Sequence, residues 1–127
     1  MRQEDIRYVY EIDSILDLDE ILECLFDELN VDFARLEYFS LSKDDLISEE
    51  MDKDKLIDKA IDVSNNEEFP LVVFPGVEVV VVDDSEVSIL SKVKLKLNGI
   101  DVDNFVEKWG REWLIKLGSG ENRESLG

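Results

Sequence analysis

The sequence predicts an α+β domain in which a central mixed β-sheet is covered by helices. Two apolar, β-branched segments of strand length, Leu71–Phe74 and Val77–Val82, flank a Pro-Gly pair. Such runs are typical of strands buried on both faces of a sheet. Apolar residues at helical spacing occupy Leu18–Leu29, which predicts an amphipathic helix. A length of 127 residues fits one domain with a real core.

The first part of the chain carries a strand pattern, a helix pattern and a second strand pattern. Residues 6–12 alternate apolar and polar side chains, which predicts a half-buried strand. Ser14 or Asp17 can cap the following helix, and Glu20 completes a capping-box spacing with Asp17. The short aromatic segment 33–41 then favours a second strand.

A second, interrupted helix is predicted between this strand and the valine-rich segments. Ser42 with Asp45 offers another cap, and residues 46–51 have the spacing of one or two helical turns. A charge-dense stretch interrupts the pattern, which resumes over residues 56–61. Asn65 and Asn66 then break the helix.

The last third predicts a strand and a closing helix. Residues 87–97 carry lysines along one side, which places this strand at or near a sheet edge. Asp101 or Asp103 can cap a final helix whose apolar stripe includes Trp109, Trp113 and Leu117. We expect residues 1–118 to form a single acidic domain. We expect residues 119–127 to be a disordered tail, with an expression tag as one source of part of it.

The resulting order, β-α-β-α-β-β-(β)-α, resembles that of the thioredoxin-like fold over Ile6 to Leu117. Phe69-Pro70 occupies the place where that fold carries a cis-proline. The stretch after the first strand, residues 13–16, has no Cys-x-x-Cys motif. The resemblance therefore implies a thioredoxin-like domain without redox chemistry.

Charge limits the classes of partner. The formal net charge is −18, and 22 of the 32 acidic residues lie before residue 69. Such a field repels nucleic acids and anionic lipids and attracts basic proteins. No apolar run is long enough to cross a membrane and no secretory signal is visible, so we expect a soluble, cytoplasmic protein. The absence of threonine and the many charged residues give a thermophile-like composition.

Catalytic candidates are few. The chain has no histidine, which removes the usual general base and the commonest metal ligand. Cys24 lies among carboxylates, which suppress the thiolate that a nucleophile needs. Asp83, Asp84 and Glu86 follow a buried strand and could hold Mg²⁺ or Ca²⁺, but a polar turn requires the same residue types. We expect no cofactor, and whether the protein is an enzyme stays open, with a non-enzymatic function favoured.

Three functions follow from these observations. The first is a non-enzymatic interaction module whose acidic helical face binds a basic protein surface, as an inhibitor, immunity protein or nucleic-acid decoy. The second is a redox-inactive thioredoxin-like adaptor, and the third is a carboxylate-based Mg²⁺- or Ca²⁺-dependent enzyme. A homodimer is possible if an edge strand or the tryptophan helix is uncovered. The candidate partner-binding residues are Asp19, Glu20, Glu23, Asp27, Glu28, Asp54 and Asp58.

Overall fold

The computed structural model describes residues 6–13, 17–66, 68–82 and 86–107. This part of the chain forms a seven-stranded sheet and two helices. In chain order the elements are β1 (Tyr8–Ile12), α1 (Leu18–Leu29), β2 (Phe33–Ser40), β3 (Asp45–Asp52), α2 (Lys53–Asn65), β4 (Leu71–Phe74), β5 (Val77–Val81), β6 (Val87–Ser91) and β7 (Asn104–Glu107). The strands lie side by side in the order β3-β2-β4-β5-β6-β1-β7. Every pair of neighbours is antiparallel.

Both helices pack on the same face of the sheet. Leu22 and Leu25 of α1 share one core cluster with Leu56 and Ala60 of α2. The sheet contributes residues from five strands to this cluster, and the ring of Phe74 meets that of Phe26 edge to face at 4.9 Å. Each large side chain buried there contributes about 1.5–3 kcal/mol relative to exposure. We call this side of the sheet the helix face and the opposite side the second face.

The predicted elements β1, α1, β2, β4 and β5 are confirmed, as is the α+β class. Their patterns are long and regular, and the core lies where the apolar stripes predict it. None of the described helices has the length and hydropathy needed to cross a membrane.

The predicted start of the second helix is wrong. Asp45–Asp52 forms β3, which pairs with β2 along its full length, and α2 begins only at Lys53. The N-cap of α2 is therefore Asp52, whose Oδ1 accepts a hydrogen bond from the backbone N–H of Lys55 at 3.0 Å, and not Ser42 or Asp45. The free edge of β2 satisfies the backbone groups of β3, so strand pairing overrides the weak helical spacing.

The predicted edge strand over residues 87–97 is also different. β6 ends at Ser91 and lies inside the sheet between β5 and β1, while β3 and β7 form the two edges of the described sheet. Beyond β6 the chain crosses back over the core, where Leu95 and Leu97 are buried. The hydroxyl oxygen of Tyr10 accepts a hydrogen bond from the N–H of Leu95 at 2.7 Å, which fixes this crossing without a strand ladder.

The start of the predicted final helix is a strand instead. Asn104–Glu107 forms β7, because the free edge of β1 offers it an antiparallel partner. Neither Asp101 nor Asp103 caps a helix; Asp103 accepts a hydrogen bond from the backbone N–H of Asp13. Trp109, Trp113, Leu117 and the predicted tail lie outside the described residues.

The mixed sheet predicted from the sequence is antiparallel throughout its described part. β1, which the thioredoxin-like order would pair in parallel, has antiparallel neighbours on both sides. The Phe69–Pro70 peptide bond is trans. The described residues therefore show an α+β fold without the two features on which the thioredoxin-like resemblance depends.

Candidate functional site

The outer side of α1 is acidic. Its apolar residues face the sheet, so the residues between them point to solvent. The helix contains five carboxylates and no lysine or arginine. Asp19 and Glu20 lie in the first turn, where the positive end of the helix dipole stabilises them. Asp27 and Glu28, in the last turn, gain no such stabilisation.

α2 continues this surface. Nζ of Lys53, the first residue of α2, lies 3.9 Å from Oε1 of Glu23 near the middle of α1. Because the two helices cover the same sheet face, Asp54 and Asp58 project on the same side as the acids of α1. We call this set the acidic wall; its exposed members are Asp19, Glu20, Glu23, Asp27, Asp54 and Asp58.

Few cations neutralise the acidic wall. Within the described residues, Glu23 is its one member with an ion pair, and that pair is long and exposed. Exposed pairs of this kind contribute at most about 1 kcal/mol. The wall therefore keeps most of its negative charge available to a partner.

Glu28 differs from the other candidates. Its side chain is half-buried, and its two carboxylate oxygens accept hydrogen bonds from the backbone N–H groups of Lys96 and Leu97 at 2.6 and 3.0 Å. These bonds join the end of α1 to the chain segment that follows β6. No local sequence pattern predicts this contact, since the two partners are 68 and 69 residues away.

An open cleft of about 900 Å³ lies between α1 and the segment after β6. The cleft is lined by carboxylates of α1, by Lys94 and Lys96 of the segment after β6, and by Lys53 of α2. The sequence did not predict this arrangement, because Lys94 and Lys96 were assigned to a sheet edge.

Cys24 lines the same cleft. Partial burial raises the pKa of the Cys24 thiol, and the charge of Glu28 raises it further. A backbone hydrogen bond with Asn98 lowers the pKa, and the charge of Asp27 adds a smaller rise. The expected suppression of the thiolate is present, with burial as its first cause. A nucleophile needs the opposite environment.

The structure describes one of the three candidate metal residues. Asp83 and Asp84 lie outside the described ranges, and Glu86 is half-buried. Among the residues described, no group of three or more Cys, Asp and Glu side chains has the arrangement to hold a metal ion.

Comparisons of the chain with protein-family models, curated proteins and solved structures found no match. The surface chemistry of the described residues is therefore the basis for assigning a function.

Proposed function

We propose that the protein is a non-enzymatic interaction module whose acidic wall binds a basic surface of another protein. The observation that supports this most is the placement of six exposed carboxylates on the outer side of two adjacent helices, with one weak ion pair among them. A concentrated field of one sign speeds association with a partner of opposite sign and selects against partners of the same sign.

The partner surface has a definable chemistry. It carries clustered lysine or arginine, and a surface that normally holds nucleic acid has this character. An inhibitor, an immunity protein or a decoy for such a surface all use the same interaction. No described feature favours the thioredoxin-like adaptor or the metal-dependent enzyme.

Two charge-matched variants test the proposal. The first neutralises the wall with Asp19→Asn, Glu20→Gln, Glu23→Gln and Asp27→Asn. The second, the control variant, removes the same number of charges outside the wall with Asp13→Asn, Glu49→Gln, Asp101→Asn and Asp103→Asn, all of which are exposed residues. The probe is an oligolysine peptide, with affinity measured by calorimetry in about 0.05 M and 0.5 M salt, because screening at the higher strength acts over a few ångströms.

We expect the wall variant to bind the probe at least tenfold more weakly than the control variant in low salt. We expect this difference in affinity to vanish in high salt. Equal losses in the two variants would show that only total charge matters and would remove the acidic wall as a specific site. Salt-insensitive binding would contradict the electrostatic basis of the proposal.

A further inference from the structure

The exposed hydrophobic side chains of the described residues are not scattered. Eight large ones are exposed, and three of them, Phe33, Val93 and Phe105, lie apart from the rest. The other five lie at the end of the sheet that holds the β2–β3 turn: Phe39, Leu41, Leu46, Phe69 and Val82. Contiguous exposed apolar surface on a soluble domain marks interaction sites more often than single exposed residues do.

Strand register places four of these residues in one row. Leu46 of β3 is directly opposite Phe39 of β2. Continuing the β2–β4 register by two residues places Phe69 beside Phe39, and continuing the β4–β5 register by two residues places Val82 beside Phe69. We call Leu46, Phe39, Phe69 and Val82 the apolar row.

Two hydrogen bonds hold the segment before β4 in this extended register. The carbonyl oxygen of Pro70 accepts from the N–H of Val81 at 3.2 Å, which extends the β4–β5 ladder. Oε2 of Glu68 accepts from the backbone N–H of Leu41 at 3.0 Å, which ties the segment to the β2–β3 turn.

The apolar row lies on the second face of the sheet, away from both helices. The residues that alternate with it, Ser40, Pro70 and Val81, are buried, while the row itself is 63%, 46%, 37% and 42% exposed from Leu46 to Val82. Leu71 and Val80, one step further along the same face, are half-buried apolar residues that widen the surface. The row is therefore separate from the acidic wall.

The dimensions of the row fit a helix. Four neighbouring strands about 4.8 Å apart span about 14 Å. A helix laid across them rises about 5.4 Å per turn, which is close to the spacing of the strands. About three turns therefore span the row, and each turn places about one apolar residue over one strand. The helix face of this same sheet is already covered by α1 and α2.

The charges around the row indicate which kind of helix would bind it. On the second face, the strands of the row carry Glu37, Glu50 and Glu78 and one base, Arg35. Asp45 and Glu68 alternate with the row and lie on the helix face. A second copy of a chain with a net charge of −18 would bring like charges together around the row, which opposes self-association. A helix with basic residues beside an apolar stripe complements both the apolar row and the acids near it.

We propose that the apolar row is a docking site for a basic amphipathic helix of a partner protein. The inference does not depend on the acidic wall, because the two surfaces lie on opposite faces of the sheet. The helix would place its apolar stripe across the row and its lysines or arginines toward Glu37 and Glu50 on the same face.

The test uses the full chain and a synthetic helical peptide of about 14 residues with leucines on one stripe and lysines elsewhere. A peptide of identical composition with its leucines distributed around the helix serves as the control probe. The row is altered by the double substitution Phe39→Ser and Leu46→Ser, and separately by Val82→Ser. Phe33→Ser is the matched control, since Phe33 is 57% exposed on the same strand and lies about 20 Å from Phe39.

We expect the unaltered chain and the Phe33→Ser variant to prefer the striped peptide by at least tenfold. We expect the double variant to lose that preference and Val82→Ser to reduce it several-fold. Equal affinity for the two peptides, or a preference that survives in the double variant, would overturn the proposal.

Two other occupants would also overturn it. If sedimentation shows a dimer that the double variant abolishes, the row binds a second copy of the chain. Trp109 and Trp113 are the only tryptophans in the sequence. If their emission shifts to longer wavelength in the double variant without peptide, the row is covered by the chain's own C-terminal segment.

Discussion

Glu28 and Leu97 are joined across 69 residues of sequence by a hydrogen bond of 3.0 Å from the backbone N–H of Leu97 to Oε1 of Glu28. The second oxygen of the same carboxylate accepts from the N–H of Lys96. Leu97 is buried and has a φ of +48°, a conformation that non-glycine residues rarely adopt. The carboxylate thus stabilises a backbone conformation that is unfavourable by itself.

We expect Glu28→Ala to lower the free energy of unfolding by about 2–3 kcal/mol, because two hydrogen bonds to a charged acceptor are lost at a half-buried site. Urea denaturation measures the change. Asp27→Ala is the control, since this neighbouring residue is exposed and exposed substitutions usually change stability by less than about 0.5 kcal/mol. Similar effects for the two substitutions would mean that the Glu28 hydrogen bonds do not hold this segment.

The two helices differ in their N-caps, and this difference predicts unequal mutational effects. Asp52 accepts a hydrogen bond from the N–H of Lys55, whereas Asp17 stands at the N-cap of α1 without a side-chain capping bond. We expect Asp52→Ala to cost about 1 kcal/mol and Asp17→Ala clearly less. Thermal unfolding of the two variants, each compared with the unaltered chain, checks this, and a larger loss for Asp17→Ala would contradict the assignment of the caps.

The contact between Phe26 and Phe74 links α1 to the centre of the sheet. Both rings are 2% exposed. We expect Phe74→Ala to destabilise the protein by about 3–5 kcal/mol through lost burial and a cavity. Phe33→Ala removes a ring of the same size from a site that is 57% exposed, so its effect should be within about 0.5 kcal/mol. Chemical denaturation midpoints separate the two outcomes.

The sequence predicted the elements whose patterns are local. Leu18–Leu29 carries a complete helical period, and the two valine-rich strands are nearly continuous β-branched apolar runs, so their patterns can be recognised without distant contacts. β3 was missed because it depends on the free edge of β2, the strand before it. β7 was missed because it depends on the free edge of β1, which is distant in sequence. Neither Asp45–Asp52 nor Asn104–Glu107 has a strong apolar alternation of its own.

The two surfaces also differ in whether a local sequence pattern or a contact between distant residues determines them. The acids of α1 were predicted to be exposed, and all of them except the half-buried Glu28 are, because they alternate with a clear apolar stripe. The apolar row was not predicted, since its four residues come from three separate stretches of sequence. Only the sheet register brings them together. The contact of Glu28 with Lys96 and Leu97 was missed for the same reason.

The uneven charge predicts an unusual response to salt. With a net charge of −18, self-repulsion opposes the compact state, and salt screens that repulsion. We expect the unfolding temperature to rise by several degrees between about 0.05 M and 0.5 M sodium chloride. In the wall variant with four charges removed, the rise should be smaller. A falling unfolding temperature would show that exposed ion pairs stabilise the fold more than repulsion destabilises it.

The thiol of Cys24 should respond to pH in a defined direction. Burial and the charges of Glu28 and Asp27 raise its pKa in the folded protein, so the folded chain keeps the thiol proton to higher pH than the unfolded chain does. The stabilisation from this difference is complete below the pKa of the unfolded thiol and is lost as pH rises through the higher folded value.

Alkylation by iodoacetamide measures this directly, because only the thiolate reacts at an appreciable rate. We expect the pH–rate profile of the folded chain to lie at higher pH than that of the chain unfolded in urea. Asp27→Asn removes one of the charges responsible and should move the folded profile back toward lower pH, whereas Asp58→Asn on α2 should leave it unchanged. A folded profile at or below that of the unfolded chain would show an activated thiol, and the exclusion of Cys24 as a nucleophile would then be wrong.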